Sequence, residues 1–232
     1  MINANFRRNS SVQVKPYPYH LDQNNAVDIF RQYDIIIDCS DNPATRYLVS
    51  DVCVVLDKPL VSASAIGVEG TLSVFCAEGP CYRCMFPNPP PPEASPTCGE
   101  SGIIGPVVGV LGCLQALQTI KIICGHFDKH APRYMTIFSA MEEKPWRTIK
   151  MRGKSPTCVA CRLEEGFNLE TISHTDYVQF CGMRSYPNVS HSVSAKRLKE
   201  DWNKACIIDV REPTEFNICH IDSSISKHTS EK

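Results

Sequence analysis

Two Cys-x-x-Cys pairs, Cys81 with Cys84 and Cys158 with Cys161, carry the clearest chemical signature in this sequence. Four thiolates satisfy Zn2+ in a closed tetrahedral site, so the pattern predicts a structural zinc ion that joins two segments distant along the chain. Because such a site leaves no coordination position open, we assign the metal no part in chemistry. The alternative interpretation is four free or buried cysteines.

Asp41 and Asn42 follow the short β-branched run 34–40 (DIIIDCS), which is typical of a strand buried in a parallel sheet. Ligands bind beyond the carboxyl ends of such strands, where a carboxylate can hold a hard cation against nucleotide phosphates. The alternative is that Asp41 or Asn42 caps the helix that we predict from Pro43 to Asp57. Arg46 would either pair with Asp41 or face the nucleotide.

Cys98 lies in the segment TCGESG, between a proline-rich loop and a long apolar helix predicted from Ile104 to Gly125. Helix dipoles at that position favour a thiolate, the form needed for covalent acyl or sulfur transfer. A lone cysteine is more often inert, so both interpretations stay open. The glycines nearby do not form G-x-G-x-x-G, which argues against a nicotinamide-dependent oxidoreductase.

The elements that must position these residues alternate between strands and helices, which predicts an α/β fold with an open, mostly parallel, Rossmann-like sheet. We place a first domain at 1–165, a linker at 166–194 and a second α/β unit at 195–232. The helix predicted at 104–125 has apolar residues on several sides, so we expect it to be largely buried.

Composition excludes several classes of function. A net charge of -1 gives no basic excess to neutralise a phosphate backbone, so we expect no direct nucleic-acid ligand. The most apolar run, 103–114, is short of the roughly 20 residues that span a bilayer, so we expect no membrane contact. Thirteen cysteines without a secretory start are typical of reduced thiols and metal ligands, which predicts a cytosolic protein.

Three stretches together resemble one family: residues 34–75, 79–98 (GPCYRCMFPNPPPPEASPTC) and 109–122 (GVLGCLQALQTIKI). They are similar to the MoeB/ThiF branch of ubiquitin-activating-type enzymes, and most of all to its two-domain members, which combine an adenylyltransferase with a sulfurtransferase. The resemblance implies that Asp41 and Asn42 contact ATP and its Mg2+, and that Cys98 is the adenylation-domain cysteine. It also implies that the family's zinc ligands are Cys81, Cys84, Cys158 and Cys161.

The same resemblance implies a reaction and its partners. The C-terminal glycine carboxylate of a ubiquitin-like sulfur-carrier protein would attack the α-phosphate of ATP, and the acyl-adenylate would then accept sulfur to give a thiocarboxylate. That product serves molybdenum cofactor synthesis and tRNA wobble-uridine thiolation. The sulfur would arrive as a persulfide, with a cysteine desulfurase as its donor to the intact protein. Members of the family typically form a homodimer.

Two departures from the family pattern qualify that expectation. Residues 206–225 (CIIDVREPTEFNICHIDSSI) resemble the opening of a rhodanese-like domain, with Asp209 and Arg211 in its first loop. The family's glycine-rich ATP loop and the rhodanese cysteine loop have no match in the sequence, and Cys219 does not replace the latter. We therefore expect a fragment, for which the alternative function is an inactive, zinc-held module for binding or dimerisation.

Overall fold

The structure is a computed structural model that describes residues 9, 11–91, 102–162, 166–182, 193, 195–200, 206–211 and 213–227. The chain divides into two compact units, 1–185 and 186–232. The helices of the first unit are α1 (Ala26–Phe30), α2 (Pro43–Val55), α3 (Tyr82–Met85), α4 (Gly105–Ile123), α5 (Leu169–His174) and α6 (Tyr177–Phe180). Its strands are β1 (Ile36–Asp38), β2 (Leu60–Ile66), β3 (Glu69–Phe75), β4 (Tyr134–Ser139) and β5 (Trp146–Lys150).

These five strands form one sheet in the order β1-β2-β3-β4-β5. The pairing of β1 with β2 is parallel, as predicted, whereas the other three pairings are antiparallel. Only Gly67 and Val68 separate β2 from β3, which suffices for a hairpin, whereas a parallel return needs a dozen or more residues. The α/β class is confirmed, and within the described residues the sheet is mixed rather than mostly parallel.

Helix α2 packs on one face of the sheet and forms the main core there. Its buried residues include Tyr47, Leu48 and Val52, and they share one apolar cluster with Leu60 of β2 and Phe75 of β3. The predicted helix start is confirmed, because Pro43 occupies the first turn and the side chain of the preceding asparagine caps it. The helix therefore rises directly from the segment that follows β1.

Helix α4 covers β2 and β3 on the opposite face. A Cβ atom at Gly70 would lie 2.0 Å from Leu111 Cδ1, so only glycine in β3 allows this close approach. The expectation that α4 is largely buried was wrong. Its buried residues form one stripe (Val107, Leu111, Gln115 and Thr119), and its opposite face, which includes Val108, Leu117 and Ile120, is exposed.

By length and composition alone, α4 is the one candidate for a membrane span among the described residues. The helix has 19 residues, and the mean hydropathy of its most apolar 18-residue window is 1.5. Core helices of proteins without any membrane contact pass the same test, and α4 packs along β2 and β3. The composition of this helix is therefore weak support for a span.

The segment 166–182 belongs to the first unit, whereas the sequence predicts a linker over 166–194. Its two helices, α5 and α6, pack on α2. Asn168 caps α5 by accepting hydrogen bonds from the backbone of Glu170 and Thr171. Ile172 and Tyr177 are buried in the main core, which explains why a polar stretch is nevertheless ordered.

The second unit contains two helices, α7 (Ala195–Glu200) and α8 (Pro213–Ile218), and two strands, β6 (Ile208–Asp209) and β7 (Ile225–Ser226). The strands pair in parallel. Arg211 donates two hydrogen bonds from Nε and Nη2 to the Asp209 carboxylate, at 3.0 and 2.7 Å. This ion pair fixes the turn that follows β6.

Candidate functional site: a cysteine cluster and the loop after β1

The predicted zinc ligands meet in one place, which we call the cysteine cluster (Cys81, Cys84, Cys158 and Cys161). All four Sγ atoms lie within 4.8 Å of one another. The Cys81–Cys84 sulfurs are 3.7 Å apart, and the Cys81–Cys158 and Cys84–Cys161 sulfurs are 3.5 Å apart. Four sulfurs bound tetrahedrally at roughly 2.3 Å from zinc lie about 3.8 Å from one another. The predicted convergence is confirmed, and its dimensions fit a zinc ion.

The surroundings of the cysteine cluster favour a metal over four neutral thiols. Three of the four cysteines are buried, and the Ser155 amide donates to Cys84 Sγ at 3.3 Å, as expected for a negatively charged sulfur. Hydrogen bonding with Cys158 raises the pKa of Cys81 and lowers the pKa of Cys84. Four sulfurs this close cannot all ionise without a cation, which Zn2+ would supply.

Arg83, between the two cysteines of the first pair, ties the cysteine cluster to α2. Its Nε donates to Asp51 Oδ1 and its Nη2 to Asp51 Oδ2, both at 2.8 Å. Asp51 is fully buried and Arg83 is 7% exposed. The Tyr177 hydroxyl donates to the same carboxylate at 2.9 Å, so this network also holds α6. Every oxygen of the buried carboxylate is therefore hydrogen-bonded.

Aromatic rings surround the buried guanidinium. The Arg83 Cζ atom lies 5.0 Å from the centre of the Tyr47 ring and 4.6 Å from that of Phe180. Tyr47 also packs edge to face on Tyr82, and its hydroxyl donates to the Phe86 carbonyl at 2.8 Å. The residues around the first cysteine pair are thus fixed to α2 by packing, hydrogen bonds and a buried charge pair.

The second region is the loop after β1, residues 39–42. Buried polar side chains hold its backbone by hydrogen bonds. The Asp38 carboxylate accepts hydrogen bonds from the Ser40 amide and hydroxyl at 2.9 and 2.6 Å. Ser62 of β2 donates to the other Asp38 oxygen at 2.9 Å. Arg46 donates from Nη2 to the Ser40 carbonyl at 2.5 Å, which places its guanidinium against this loop.

Gln115 connects this loop to α4. Its Nε2 donates to the backbone carbonyls of Asp38 and Val61 at 2.7 and 2.9 Å, and its Oε1 accepts from Cys39 Sγ at 3.3 Å. A buried amide with three such bonds fixes the carboxyl end of β1 and the first part of β2 to one side of the helix. Partial burial and the Asp38 charge raise the pKa of Cys39, so this nearby thiol is not an activated one.

The structure separates the two candidate roles of Asp41 and Asn42. The Asn42 side chain accepts from the Thr45 amide at 2.9 Å and caps α2. Asp41 is exposed at the carboxyl end of β1, and its carboxylate accepts from Asn42 Nδ2 at 3.4 Å. The helix cap is therefore Asn42, which leaves the Asp41 carboxylate exposed to solvent. Cys98, the predicted nucleophile, lies outside the described residues.

Sequence reasoning missed the polar groups that hold both regions. Asp51 and Gln115 are the clearest signals, because each is a polar residue on the buried face of an apolar helix and must find a partner there. Arg83 occupies the interior of a Cys-x-x-Cys pair, where its role depends on a partner 32 residues away in the sequence. Tyr177, which is 126 residues from Asp51, carried no pattern that pointed to it.

Residues 3–160 match the model of the ThiF family. The chain belongs to the ThiF family. Similar proteins include the adenylyltransferase and sulfurtransferase uba4 of Aspergillus clavatus, 42% identical over an alignment of 245 positions that covers 91% of this chain and 49% of that protein. The adenylyltransferase and sulfurtransferase MOCS3 of Culex quinquefasciatus is 40% identical over an alignment of 230 positions that covers 94% of this chain and 51% of that protein. The chain spans about half the length of the curated relatives it matches.

The fold of this ThiF family chain is similar to that of Escherichia coli MccB. The crystal structure of MccB with ATP gives a TM-score of 0.55 at 19% identity, over 69% of this chain and 49% of that chain. MccB with the selenomethionine form of MccA gives 0.56 at 19% identity, over 69% and 48%. This likeness confirms the Rossmann-like fold. The rhodanese-like character of residues 195–232 stays a prediction.

Proposed function

We propose that the protein is an adenylyltransferase, which uses ATP to activate the C-terminal glycine of a ubiquitin-like sulfur-carrier protein. The observation that carries the proposal is the exposed Asp41 carboxylate at the carboxyl end of β1, on a loop held by Asp38, Gln115 and Arg46, in a chain of the ThiF family. Ligands of open α/β sheets bind at this position. Because these contacts already hold the loop in one conformation, ligand binding to the carboxylate would not require the free energy of ordering the loop.

In the proposed reaction the carrier's glycine carboxylate attacks the α-phosphorus of ATP, and pyrophosphate leaves. Asp41 would hold the Mg2+ that accompanies ATP, and this ion would offset the phosphate charge. Asn42 would orient the Asp41 carboxylate, to which its Nδ2 donates. The acyl-adenylate then accepts sulfur from a persulfide, which a cysteine desulfurase supplies to the intact protein. The terminal sulfur of the persulfide bonds to the acyl carbon and AMP leaves, which gives an acyl disulfide. A second thiol of the intact protein then attacks the inner sulfur, so that the S–S bond breaks, a protein disulfide forms and the thiocarboxylate departs, for molybdenum cofactor synthesis and tRNA thiolation. Cys98 is the proposed thiol that engages the acyl carbon.

The cysteine cluster would hold one Zn2+ and take no part in this chemistry, because four sulfurs close its coordination sphere. Its proposed role is to join the segment around Cys81 to the segment around Cys158. We propose that the protein acts in the cytosol, where thiols stay reduced and can keep this metal. It would act as a homodimer.

The experiment that tests the proposal is ATP–pyrophosphate exchange with purified protein and a ubiquitin-like sulfur carrier. We expect radioactive pyrophosphate to enter ATP only when the carrier ends in its native glycine. A carrier that lacks the last glycine is the matched control, because it keeps the fold but loses the reacting carboxylate. Exchange that ignores this deletion would contradict the proposed substrate.

A second candidate is an inactive, zinc-held module for binding or dimerisation. The observation that favours it is the exposed apolar face of α4, with Val108, Leu117 and Ile120 at 49%, 49% and 53% exposure. Faces of this kind commonly mark protein contacts. Carrier binding without any exchange, under conditions where zinc is retained, would support this candidate over the enzyme.

A further inference from the structure

Strand β5 is the outer strand of the sheet, and its backbone offers an open edge. All five of its residues are exposed, so neither face of the strand is covered by the described residues. Its one pairing there is with β4. An outer strand with unpaired backbone groups is a template on which another polypeptide can add a strand.

The register shows which backbone groups are open. The Ser139 amide donates to the Pro145 carbonyl and the Met151 amide to the Arg133 carbonyl, each at 2.8 Å. In an antiparallel ladder these bonded pairs alternate with unbonded ones, so Arg147 and Ile149 direct their backbone groups toward β4. The N–H and C=O groups of Trp146, Thr148 and Lys150 therefore point to the free edge.

The segment around β5 is strongly basic. Residues 144–154 contain five cations and no acid, in a chain with a net charge of -1. All five are exposed, and within the described part of the chain none of them forms an ion pair. They are Lys144, Arg147, Lys150, Arg152 and Lys154. Such a local field attracts a partner of opposite charge.

Apolar anchors accompany these charges. Trp146 is 47% exposed and packs against Phe138 of β4, with ring centres 4.5 Å apart. Ile149 is 54% exposed and lies on the other face, because successive side chains of a strand alternate. A strand added along this edge would meet an aromatic contact on one face and an aliphatic contact on the other.

We propose that the β5 edge binds an extended acidic strand of the ubiquitin-like carrier, which would continue the sheet. This inference rests on the proposed function, because it assigns that substrate to this surface. The distance supports it: a strand added to β5 would lie five strand spacings from β1, about 24 Å. A carrier seated on β5 would reach Asp41 with a C-terminal tail of about seven extended residues.

The backbone arm of the test is the substitution Thr148→Pro. Proline removes one outward N–H and leaves the ladder between β4 and β5 intact, so the strand can still form. We expect the Kd for a fluorescently labelled ubiquitin-like sulfur carrier to rise about tenfold, as measured by anisotropy. Thr148→Ala keeps the N–H and serves as the control, with an expected change below about twofold. An unchanged Kd for Thr148→Pro would contradict strand addition.

A second test reverses two charges with Lys144→Glu combined with Lys150→Glu. This test remains valid if the strand does not accept a proline. We expect weaker carrier binding and a smaller dependence of Kd on salt concentration. Lys199→Glu, a charge reversal at an exposed residue of α7, is the control and should bind as the unaltered protein does. Equal binding by the double variant and by this control would overturn the proposal.

Two further measurements separate the possible failures. In pyrophosphate exchange, the β5 variants should raise the KM for carrier and keep the rate at saturating carrier. If the unaltered protein binds carrier through β5 but never exchanges, the proposed reaction fails and the surface stands. If a single-stranded RNA oligonucleotide binds, and the double variant loses RNA but keeps carrier, the surface serves a nucleic acid and the inference is wrong.

Discussion

The cysteine cluster and the loop after β1 lie in the same unit but are constructed in opposite ways. In the cluster the functional side chains face inward and each sulfur is close to another sulfur. In the loop the buried polar groups of Asp38 and Gln115 hold the backbone, while Asp41 faces solvent. This difference indicates that the cysteine cluster stabilises the fold, whereas the loop presents a carboxylate to a ligand. Substitutions in the cluster should therefore lower stability, and a substitution of Asp41 should lower activity without lowering stability.

The largest effect should follow Cys84→Ser. Structural zinc contributes about 10–16 kcal/mol of apparent binding free energy in zinc-finger peptides, and loss of one thiolate weakens that site. We expect elemental analysis to fall from about one zinc per chain to far less, with a much lower Tm. Cys113→Ser, an exposed cysteine on α4, is the control. Equal zinc content in both variants would show that the cluster holds no metal.

The next largest effect should follow Arg83→Met, which leaves Asp51 buried without its cation. We expect the free energy of unfolding in urea to fall by about 3–5 kcal/mol. Arg31→Met breaks the exposed pair with Asp28 and should change stability far less. Adding Asp51→Leu to Arg83→Met should restore part of the loss, because it removes the uncompensated charge. A double variant as unstable as Arg83→Met would argue against this electrostatic explanation.

The sequence predicted those parts of the fold that depend on local pattern or on a strict chemical requirement. Pro43 with Asn42 marked the start of α2 correctly, and the spacing of the cysteines predicted their convergence. Periodicity misjudged α4, because apolar composition does not state which face meets the sheet. Only the stripe with Val107 and Leu111 is buried, and that follows from the contact with Gly70, which no local pattern shows.

The parts of the site that could not be predicted involve pairings between distant residues. A buried carboxylate such as Asp51 requires a partner, but the chain offers many cations, and only the fold selects Arg83. The sequence predicts a linker at 166–182 for a similar reason. Its polar sequence hides the contributions of Ile172 and Tyr177 to the core, which depend on packing against α2.

In the loop after β1, we expect Asp41→Asn to slow pyrophosphate exchange about 100-fold, because an amide holds a magnesium ion poorly. This factor corresponds to an increase of about 2.7 kcal/mol in the activation free energy. The free energy of unfolding should stay the same, since the Asp41 side chain is exposed. Asp57→Asn, at another exposed aspartate, should change neither quantity. A stability loss with normal exchange would make Asp41 a structural residue and would remove the contrast with the cysteine cluster.

The smallest effect compares two helix caps of the same type. Asn42→Ala and Asn168→Ala each delete a side chain that accepts from backbone amides at a helix start, so each should cost about 1 kcal/mol of unfolding free energy. Of the two, only Asn42 belongs to the loop that carries Asp41, and its Nδ2 donates to that carboxylate. We therefore expect Asn42→Ala to slow exchange as well, whereas Asn168→Ala should exchange normally. Equal exchange rates would show that the cap serves the helix alone, because the stability cost is matched.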